Sequence, residues 1–230
     1  MSSDSIVTVR GVTRHYQQGE ITVKALNGVD LDVHPGEFTA LMGPSGSGKT
    51  TLLNLIGGLD EPDSGSVVVD GRELSSLSAA AVSRTRLERI GFVFQAYNLI
   101  PVLSAYENAE FVLMMQGVPP AERKARVMKT LAAVGLEGME HRRPNELSGG
   151  QQQRVAVARA IAGEPALVLA DEPTANLDSK TGDELIELMR RLNAEQGITF
   201  VFATHDPKVM AAASRIVRLK DGEIEAEERR

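Results

Sequence analysis

The fold of this chain is decided by the stretch Gly43-Pro44-Ser45-Gly46-Ser47-Gly48-Lys49-Thr50. Two glycines with four residues between them, followed by lysine and a hydroxyl residue, form the pattern of a phosphate-binding loop. The apolar run Phe38–Met42 precedes the stretch, and an apolar helical pattern, Leu52–Ile56, follows it. Glycine lets backbone amides turn inward around phosphate oxygens, and the helix N-terminus adds a favourable dipole. The stretch therefore predicts a phosphate-binding loop between a buried strand and a helix.

Two carboxylates, Asp171 and Glu172, close a second apolar run, Leu167–Ala170. Mg²⁺ beside a triphosphate takes oxygen ligands, so Thr50 and Asp171 suit the metal while Lys49 neutralises the β- and γ-phosphates. Glu172 is placed to accept a proton from an attacking water. A solvated acidic strand end would look the same, and the phosphate-binding loop upstream favours the catalytic interpretation. The two stretches together predict hydrolysis of ATP with Mg²⁺ as cofactor.

A second candidate anion site is the stretch Leu147-Ser148-Gly149-Gly150-Gln151, which opens a helical pattern. A helix N-terminus with serine and glycine binds anions through free backbone amides. One chain would then hold two γ-phosphate binders and only one nucleotide. The simplest resolution is a two-fold dimer in which this stretch covers the ATP of a second ATPase chain. The alternative is an ordinary helix cap at Ser148.

Four nearly continuous apolar runs are typical of parallel strands buried on both faces. They are Phe38–Met42, Gly91–Phe94, Ala166–Ala170 and Ile198–Ala203. Each run ends at glycine or polar chemistry, at Gly43, Gln95, Asp171 and Thr204-His205 respectively. Ligands of open α/β sheets bind at the carboxyl ends of the strands. The four ends therefore predict one shared site.

The N-terminal region predicts an antiparallel sheet. Ile6–Val9 and the period-two alternation of Val29–Val33 indicate strands, and Val67–Val69 runs into the turn signal Asp70-Gly71.

The remaining segments predict one domain, 1–230, with an inserted lobe. Helical patterns and prolines over residues 96–147 indicate a helical lobe, with Met114 and Met115 in its core rather than on a docking surface. The charged tail Glu225–Arg230 is expected to fray. The predicted fold is thus α/β: a P-loop NTPase core with a mainly parallel sheet, an N-terminal antiparallel β lobe and this inserted helical lobe.

Composition excludes several classes of protein. The chain has 230 residues, of which 42 % are hydrophobic and 24 % charged, as in soluble globular proteins. A net charge of −6 gives no electrostatic support to a nucleic-acid partner, and none is predicted. No cysteine is available for disulfides or thiolate metal sites. Met1–Asp4 lack a signal-peptide pattern, and no apolar run reaches the roughly 20 residues that span a bilayer. Membrane contact is expected only through a partner.

In this order the motifs resemble the nucleotide-binding subunit of ATP-binding-cassette (ABC) transporters, from about Ile6 to Ile224. Gly43–Thr50 matches the family's Walker A motif, Leu167–Asp171 its Walker B motif, and Leu147–Gln151 its signature. Its D-loop matches Ala175–Asp178.

The resemblance also implies roles for isolated residues. It makes Gln95 a Mg²⁺ and water contact, His205 a γ-phosphate contact, and Tyr16 the residue that stacks on adenine; without it these would be ordinary strand-end or sheet-edge residues. The predicted nucleotide contacts are Tyr16, Gly43, Pro44, Ser45, Gly46, Ser47, Gly48, Lys49, Thr50, Thr51, Ser148, Gly149, Gly150 and Gln151. The predicted metal ligands are Thr50, Gln95 and Asp171, and the predicted catalytic residues are Lys49, Gln95, Glu172 and His205.

Within the family, Gly57–Asp60, Asn98–Pro101 and Leu169–Asp178 resemble the lipoprotein-release and macrolide-efflux subunits, with the cell-division group close by. Ala175 stands where glycine is more usual in that group. The resemblance implies a homodimer that drives a separate transmembrane permease from the inner, cytoplasmic face of the membrane. A signalling ATPase of the cell-division type, without substrate translocation, remains the alternative.

Two further classes are disfavoured by particular features. A DNA-repair or chromosome-maintenance head would carry a coiled coil or a zinc module between the phosphate-binding loop and Ser148, and that interval has neither heptads nor cysteine. A catalytically dead regulator is disfavoured by intact Lys49, Glu172 and His205.

Apolar residues follow Gln95 directly, in Ala96–Pro101 and then at Leu103 and Tyr106. One interpretation is a groove for a short helix of the membrane subunit. The other is that these residues seat the helical lobe on the core.

Overall fold

The computed structural model of the protein describes residues 5–19 and 21–230. Met1–Asp4, where no signal peptide is predicted, lie outside the described residues. Within the described ranges, the helices are all too short or too polar to cross a membrane.

Two sheets and seven helices form the described part of the chain. The strands are β1 Val7–Gln18, β2 Ile21–Val33, β3 Phe38–Met42, β4 Ser64–Val69, β5 Arg72–Glu73, β6 Ile90–Phe94, β7 Leu167–Asp171, β8 Thr199–Thr204, β9 Arg215–Lys220 and β10 Glu223–Arg229. The helices are α1 Lys49–Ile56, α2 Ala79–Arg89, α3 Ala105–Met115, α4 Pro120–Ala133, α5 Gly149–Ala162, α6 Ser179–Gln196 and α7 Pro207–Ala212.

The larger sheet has the strand order β10-β9-β3-β8-β7-β6. Strands β3, β6, β7 and β8 coincide with the four apolar runs and pair in parallel, as predicted. Among the described strands of this sheet, only β10 is antiparallel to its neighbour. The smaller, antiparallel sheet has the order β2-β1-β4-β5 and confirms the sheet predicted near the N-terminus. The α/β fold class is therefore confirmed.

Helix α1 is buried between the two sheets. Leu52, Leu53, Leu55 and Ile56 belong to one apolar cluster with Val7 and Val9 of the small sheet and with Leu169 and Val201 of the large one. The opposite face of the large sheet is covered by α3, α5 and α6. Burial of α1 on several sides fixes its N-terminus, and with it the phosphate-binding loop, at the carboxyl edge of the large sheet.

Helices α3 and α4 both lie in the segment 96–147, whose boundaries as a lobe stay a prediction. The prediction for Met114 and Met115 is wrong, since they are 48 % and 57 % exposed. Helix α3 turns Ala105, Ala109 and Leu113 toward the core, and the helical period then places both methionines on the outside.

The tail does not fray, contrary to prediction. Residues 223–229 pair with β9 as the edge strand β10. Arg215, only 4 % exposed, bonds Glu227 at 2.6 Å and Glu37 at 3.1 Å. A buried guanidinium needs such partners, so the ion pairs and the free edge of β9 order a segment that looks merely hydrophilic in sequence.

Candidate functional site

The phosphate-binding loop joins β3 to α1 through left-handed glycines. Gly46 and Gly48 have φ of +81° and +102°. A Cβ added at Gly48 would lie 2.5 Å from the carbonyl oxygen of Ala25, so no larger residue fits there without movement. The glycines of the motif are thus required by backbone conformation and by close packing against β2.

Two polar side chains of this loop are suited to an anion. The Lys49 Nζ donates to the carbonyl oxygens of Gly43 and Pro44, at 2.8 and 2.9 Å. The Ser47 Oγ is buried with no hydrogen-bond partner among the described residues. A lysine held by carbonyls and an unsatisfied buried hydroxyl fit a site that receives phosphate oxygens, because both would gain stronger, charged partners.

The loop borders a cavity of about 700 Å³. Its lining includes most of the predicted nucleotide-site residues: Tyr16, Gly43, Pro44, Ser45, Gly46, Gly48, Lys49, Thr50, Thr51, Gln95, Glu172 and His205. Residues from three strand ends and from the loop therefore converge, as the position of the strand ends predicts. Val23, Ala25 and Ala175 also line the cavity and were not predicted.

Asp171 lies next to Thr50 at this edge of the sheet. The Thr50 Oγ1 donates to the Asp171 Oδ1 at 3.1 Å. Burial raises the pKa of Asp171 above its ordinary value, the Glu172 charge adds to the rise, and the Thr50 hydrogen bond opposes it. A divalent cation would favour the ionised form. One hydroxyl and one carboxylate fit Mg²⁺, which usually takes few protein ligands and completes its shell with phosphate and water.

Gln95 lines the same cavity, and its side-chain amide is hydrogen-bonded to Asn176 rather than to Thr50 or Asp171. Its Nε2 donates to the Asn176 Oδ1 at 3.4 Å, and the Asn176 amide donates to the Gln95 carbonyl at 2.9 Å. The structure thus places Gln95 at the cavity and tethers it to the D-loop stretch predicted at 175–178.

Glu172 and His205 form a close pair on adjacent strand ends. The His205 Nδ1 lies 2.6 Å from the Glu172 Oε1, and the Thr204 hydroxyl donates to the other oxygen, Oε2, at 3.1 Å. Glu172 has a φ of +44°, an uncommon backbone conformation for a residue other than glycine. Such strain occurs where a side chain is held for a purpose. The carboxylate of Glu172 is the group that pairs with His205.

The Ser148–Gln151 stretch lies apart from this cavity: within the described ranges, none of these four residues lines it. Ser148 is the N-cap of α5, and it forms a capping box in which Ser148 Oγ accepts from the Gln151 amide and Gln151 Oε1 accepts from the Ser148 amide. The cap expected as the alternative is therefore present. A capped helix N-terminus still has unpaired backbone amides that can bind an anion.

Sequence reasoning assigned no role to two residues beside the site, although it placed Thr204 at a strand end there. Thr204 holds Glu172, and its only signal is a hydroxyl residue preceding the histidine. Asp60 accepts a hydrogen bond from the Tyr16 Oη at 2.7 Å, and no local pattern connects these two residues.

Fold and site together define a nucleotide-hydrolysing P-loop protein. A family model described as "ABC transporter" matches residues 26–175. The LolD ATP-binding protein of a lipoprotein-releasing system from Anaeromyxobacter dehalogenans is 50 % identical over 96 % of this chain and 93 % of its own. The MacB macrolide export ATP-binding/permease protein of Azoarcus sp. is 46 % identical over 96 % of this chain but 34 % of its own. This chain spans about a third of MacB.

A solved structure gives the same assignment. It is the ATP-binding cassette MJ0796 of Methanocaldococcus jannaschii, in a dimeric post-hydrolysis state with ADP and Pi. The two structures superpose with a TM-score of 0.88 at 46 % sequence identity, over 97 % of this chain and 98 % of the MJ0796 chain. The chain belongs to the ABC transporter family, and it is an ATP-binding and ATP-hydrolysing component of that family.

Proposed function

We propose that this chain is the ATPase subunit of a homodimer that drives a separate transmembrane permease of the lipoprotein-release or macrolide-efflux type, on the cytoplasmic face of the membrane. The observation that carries the proposal is the division of the chemistry: the phosphate-binding loop, Asp171, Glu172 and His205 meet at one cavity, whereas the Ser148–Gln151 helix terminus faces elsewhere. Such a division is expected when each site is completed by a second chain.

Within one chain, the loop residues bind the triphosphate. Lys49 exchanges the Gly43 and Pro44 carbonyls for β- and γ-phosphate oxygens, and the loop amides and the Ser47 hydroxyl donate to others. Thr50 and Asp171 would hold Mg²⁺, with Gln95 as a further contact. When bound, the ion neutralises negative charge on the phosphates.

Hydrolysis is assigned to Glu172 and His205. The Glu172 carboxylate orients a water whose oxygen attacks the γ-phosphorus, and it accepts the proton that the water loses as the bond to the ADP oxygen breaks. Thr204 and His205 hold the carboxylate in place through the hydrogen bonds described above. The exposed ring of His205 keeps Nδ1 at Glu172 and presents its other nitrogen, Nε2, to the γ-phosphate.

The Ser148–Gln151 stretch is assigned to the ATP of the partner chain. Its α5 amides and the Ser148 hydroxyl supply donors to the γ-phosphate bound on the opposite loop. The dimeric state of the MJ0796 cassette with ADP and Pi supports this arrangement.

Concentration dependence tests the shared site. The specific ATPase activity of the isolated chain should rise with its own concentration and level off once dimers predominate, because a monomer holds no complete site. Activity per chain is measured over a wide dilution series, and the oligomeric state is followed by light scattering. A specific activity that stays flat while the chain remains monomeric would contradict the proposal.

The permease is proposed to dock in a second cavity, of about 410 Å³. This cavity is lined by apolar residues, among them Leu59, Leu87, Phe94 and Val112, and by the polar residues Ser83, Arg86, Asn98, Gln116 and Arg159. Asn98 and Tyr97 have left-handed φ of +51° and +56°. Both residues closely follow Gln95, which lines the nucleotide cavity, and this short stretch of chain between the two cavities suits the transfer of motion to a partner helix.

Arg159 fixes the backbone of Tyr97 and Asn98 between the two cavities. Its guanidinium donates to the Tyr97 carbonyl at 2.9 Å and to the Asn98 carbonyl. Burial lowers the pKa of Arg159 from its ordinary value. The predicted groove residues Leu99 and Tyr106, by contrast, are partly buried and pack against the core cluster. For those two residues the structure favours the role of seating the helical lobe.

Leu59→Glu should abolish co-purification with the permease while leaving ATP hydrolysis by the isolated chain unchanged. Leu59 is 47 % exposed and lines the docking cavity, so a charge there disrupts an apolar contact without entering the core. The control is Val102→Glu, since Val102 is 71 % exposed and lies outside that lining. Equal recovery of the permease with both variants would place the docking surface elsewhere.

A further inference from the structure

The side chain of Tyr16 is hydrogen-bonded to the turn that follows helix α1. It lies on β1 opposite Val23 and lines the nucleotide cavity with Val23 and Ala25. Its hydroxyl donates to the Asp60 Oδ2 at 2.7 Å. Asp60 comes four residues after the end of α1, the helix whose N-terminus carries Lys49. Helix α1 and the short turn after it therefore connect the phosphate-binding loop to the hydrogen-bond acceptor of the Tyr16 side chain.

Arg14 completes the support of that ring. Its guanidinium carbon lies 4.9 Å from the ring centroid of Tyr16. Its Nε and Nη2 donate to the two oxygens of Asp60 at 3.0 and 2.7 Å, and its Nη1 donates to the Asp63 Oδ1 at 2.9 Å. Two carboxylates thus fix the guanidinium over the ring. Within the described part of the chain, Tyr16 lines the nucleotide cavity and Arg14 does not.

The charges of Arg14 and Asp60 favour stacking of a planar group on the Tyr16 ring. Burial alone opposes ionisation of Asp60, but hydrogen bonds from Tyr16, from the Glu61 amide and from Arg14 hold the pKa of Asp60 below its ordinary value. A phenol that donates to a carboxylate has an electron-rich ring, which attracts a guanidinium on one face and a planar base on the other. The arrangement leaves one face of Tyr16 for a ligand.

We propose that Asp60 and Arg14 are positioning residues that hold Tyr16 as a one-sided platform for the nucleotide base. The proposal rests on the assignment of Tyr16 as the residue that stacks on adenine. Asp60 and Arg14 contact neither the base nor the phosphates, and they act through the ring. Their loss therefore weakens the part of ATP affinity that comes from the base and leaves the part that comes from the phosphates unchanged.

The test compares binding of ATP with binding of inorganic tripolyphosphate, which has no base, to the full chain in the presence of Mg²⁺. Asp60→Asn should weaken ATP binding about 3- to 10-fold, Arg14→Ala similarly, and each should leave tripolyphosphate binding within about 2-fold. Tyr16→Ala should weaken ATP binding about 10-fold or more. The rate at saturating ATP should stay at the level of the unsubstituted chain, so the change appears in KM alone.

A matched control lies in the same sheet. Asp32 forms a similar paired contact with Arg10, with both carboxylate oxygens 2.7 Å from the guanidinium, and neither residue lines the cavity as far as the structure describes the chain. Asp32→Asn should leave the affinities for both ligands unchanged. This variant separates the loss of a surface ion pair from the loss of the Tyr16 support.

The outcomes distinguish this inference from the assignment on which it rests. If Tyr16→Ala leaves the ratio of the two affinities unchanged, Tyr16 does not bind the base and the earlier assignment fails. If Tyr16→Ala changes the ratio and Asp60→Asn does not, the positioning role is overturned. Equal losses for both ligands in Asp60→Asn would indicate a general structural defect and overturn it too. Tighter ATP binding by Arg14→Ala would show that the guanidinium occupies the position of the base.

Discussion

Glu172→Gln should bind ATP as tightly as the unsubstituted chain and hydrolyse it at least about 100-fold more slowly. Glutamine has the same shape and can still accept a hydrogen bond from Thr204, but its amide cannot take a proton from water. Loss of a general base typically reduces a rate by about 10²- to 10⁴-fold. The measurements are single-turnover hydrolysis and equilibrium ATP binding. Because ATP then persists at the interface, an ATP-bound dimer should also accumulate in size-exclusion chromatography.

The control for this variant is Glu187→Gln, which makes the same chemical change on the exposed face of α6. It should retain full activity. Turnover by Glu172→Gln above about a tenth of the unsubstituted rate would show that another group accepts the proton. His205, 2.6 Å from Glu172, would then be the first residue to examine.

Lys49→Ala and Ser148→Arg should each abolish steady-state ATPase activity, and an equal mixture of the two variants should recover part of it. Lys49→Ala removes the cation that binds the β- and γ-phosphates, and Ser148→Arg blocks the helix terminus that covers the partner's ATP. Removal of one such electrostatic contact costs about 10²- to 10³-fold in rate. A mixed dimer has one intact loop facing one intact Ser148. With random pairing and independent sites, recovery reaches about a quarter of the unsubstituted activity.

Mixing Lys49→Ala with the double variant Lys49→Ala/Ser148→Arg provides the matched control, because no pairing of those chains yields an intact site. ATPase activity is measured after the chains have been allowed to exchange, and mixed dimers are verified with two different affinity tags. Full activity of Ser148→Arg alone would place that stretch outside the site. So would a failure to recover activity when mixed dimers are present.

The phosphate-binding loop and the acidic strand end were predictable because their chemistry lies within a few consecutive residues. Gly48 needs a left-handed φ, and Lys49 and Thr50 must begin a helix, so this spacing permits few other structures. The buried strands were equally readable. Strand β8 is covered on both faces and is apolar at its four central positions, and this pattern can be recognised in the sequence without knowing which strands lie beside it.

Exposure on helices and order at the edge of a sheet were less predictable. Met114 and Met115 have the composition of core residues, and only the orientation of α3 against α5 places them outside. The charged tail pairs with β9 because the buried guanidinium of Arg215 bonds Glu227 of the tail. These two residues are 12 positions apart, and no local sequence pattern connects them. Periodicity alone could not reveal either result, since both depend on which surfaces meet.

The sequence by itself determined the α/β class, the phosphate-binding loop, the carboxylates at the end of β7 and the family. Each of these depends on short runs of consecutive residues that have strict requirements for backbone conformation or burial. Only the tertiary structure decided how these groups are supported. The Tyr16 hydroxyl and its acceptor Asp60 are 44 residues apart, and the Glu172–His205 pair is separated by 33. Hydrogen bonds act over about 3 Å, so such partners are defined only when folding brings their strands and loops together.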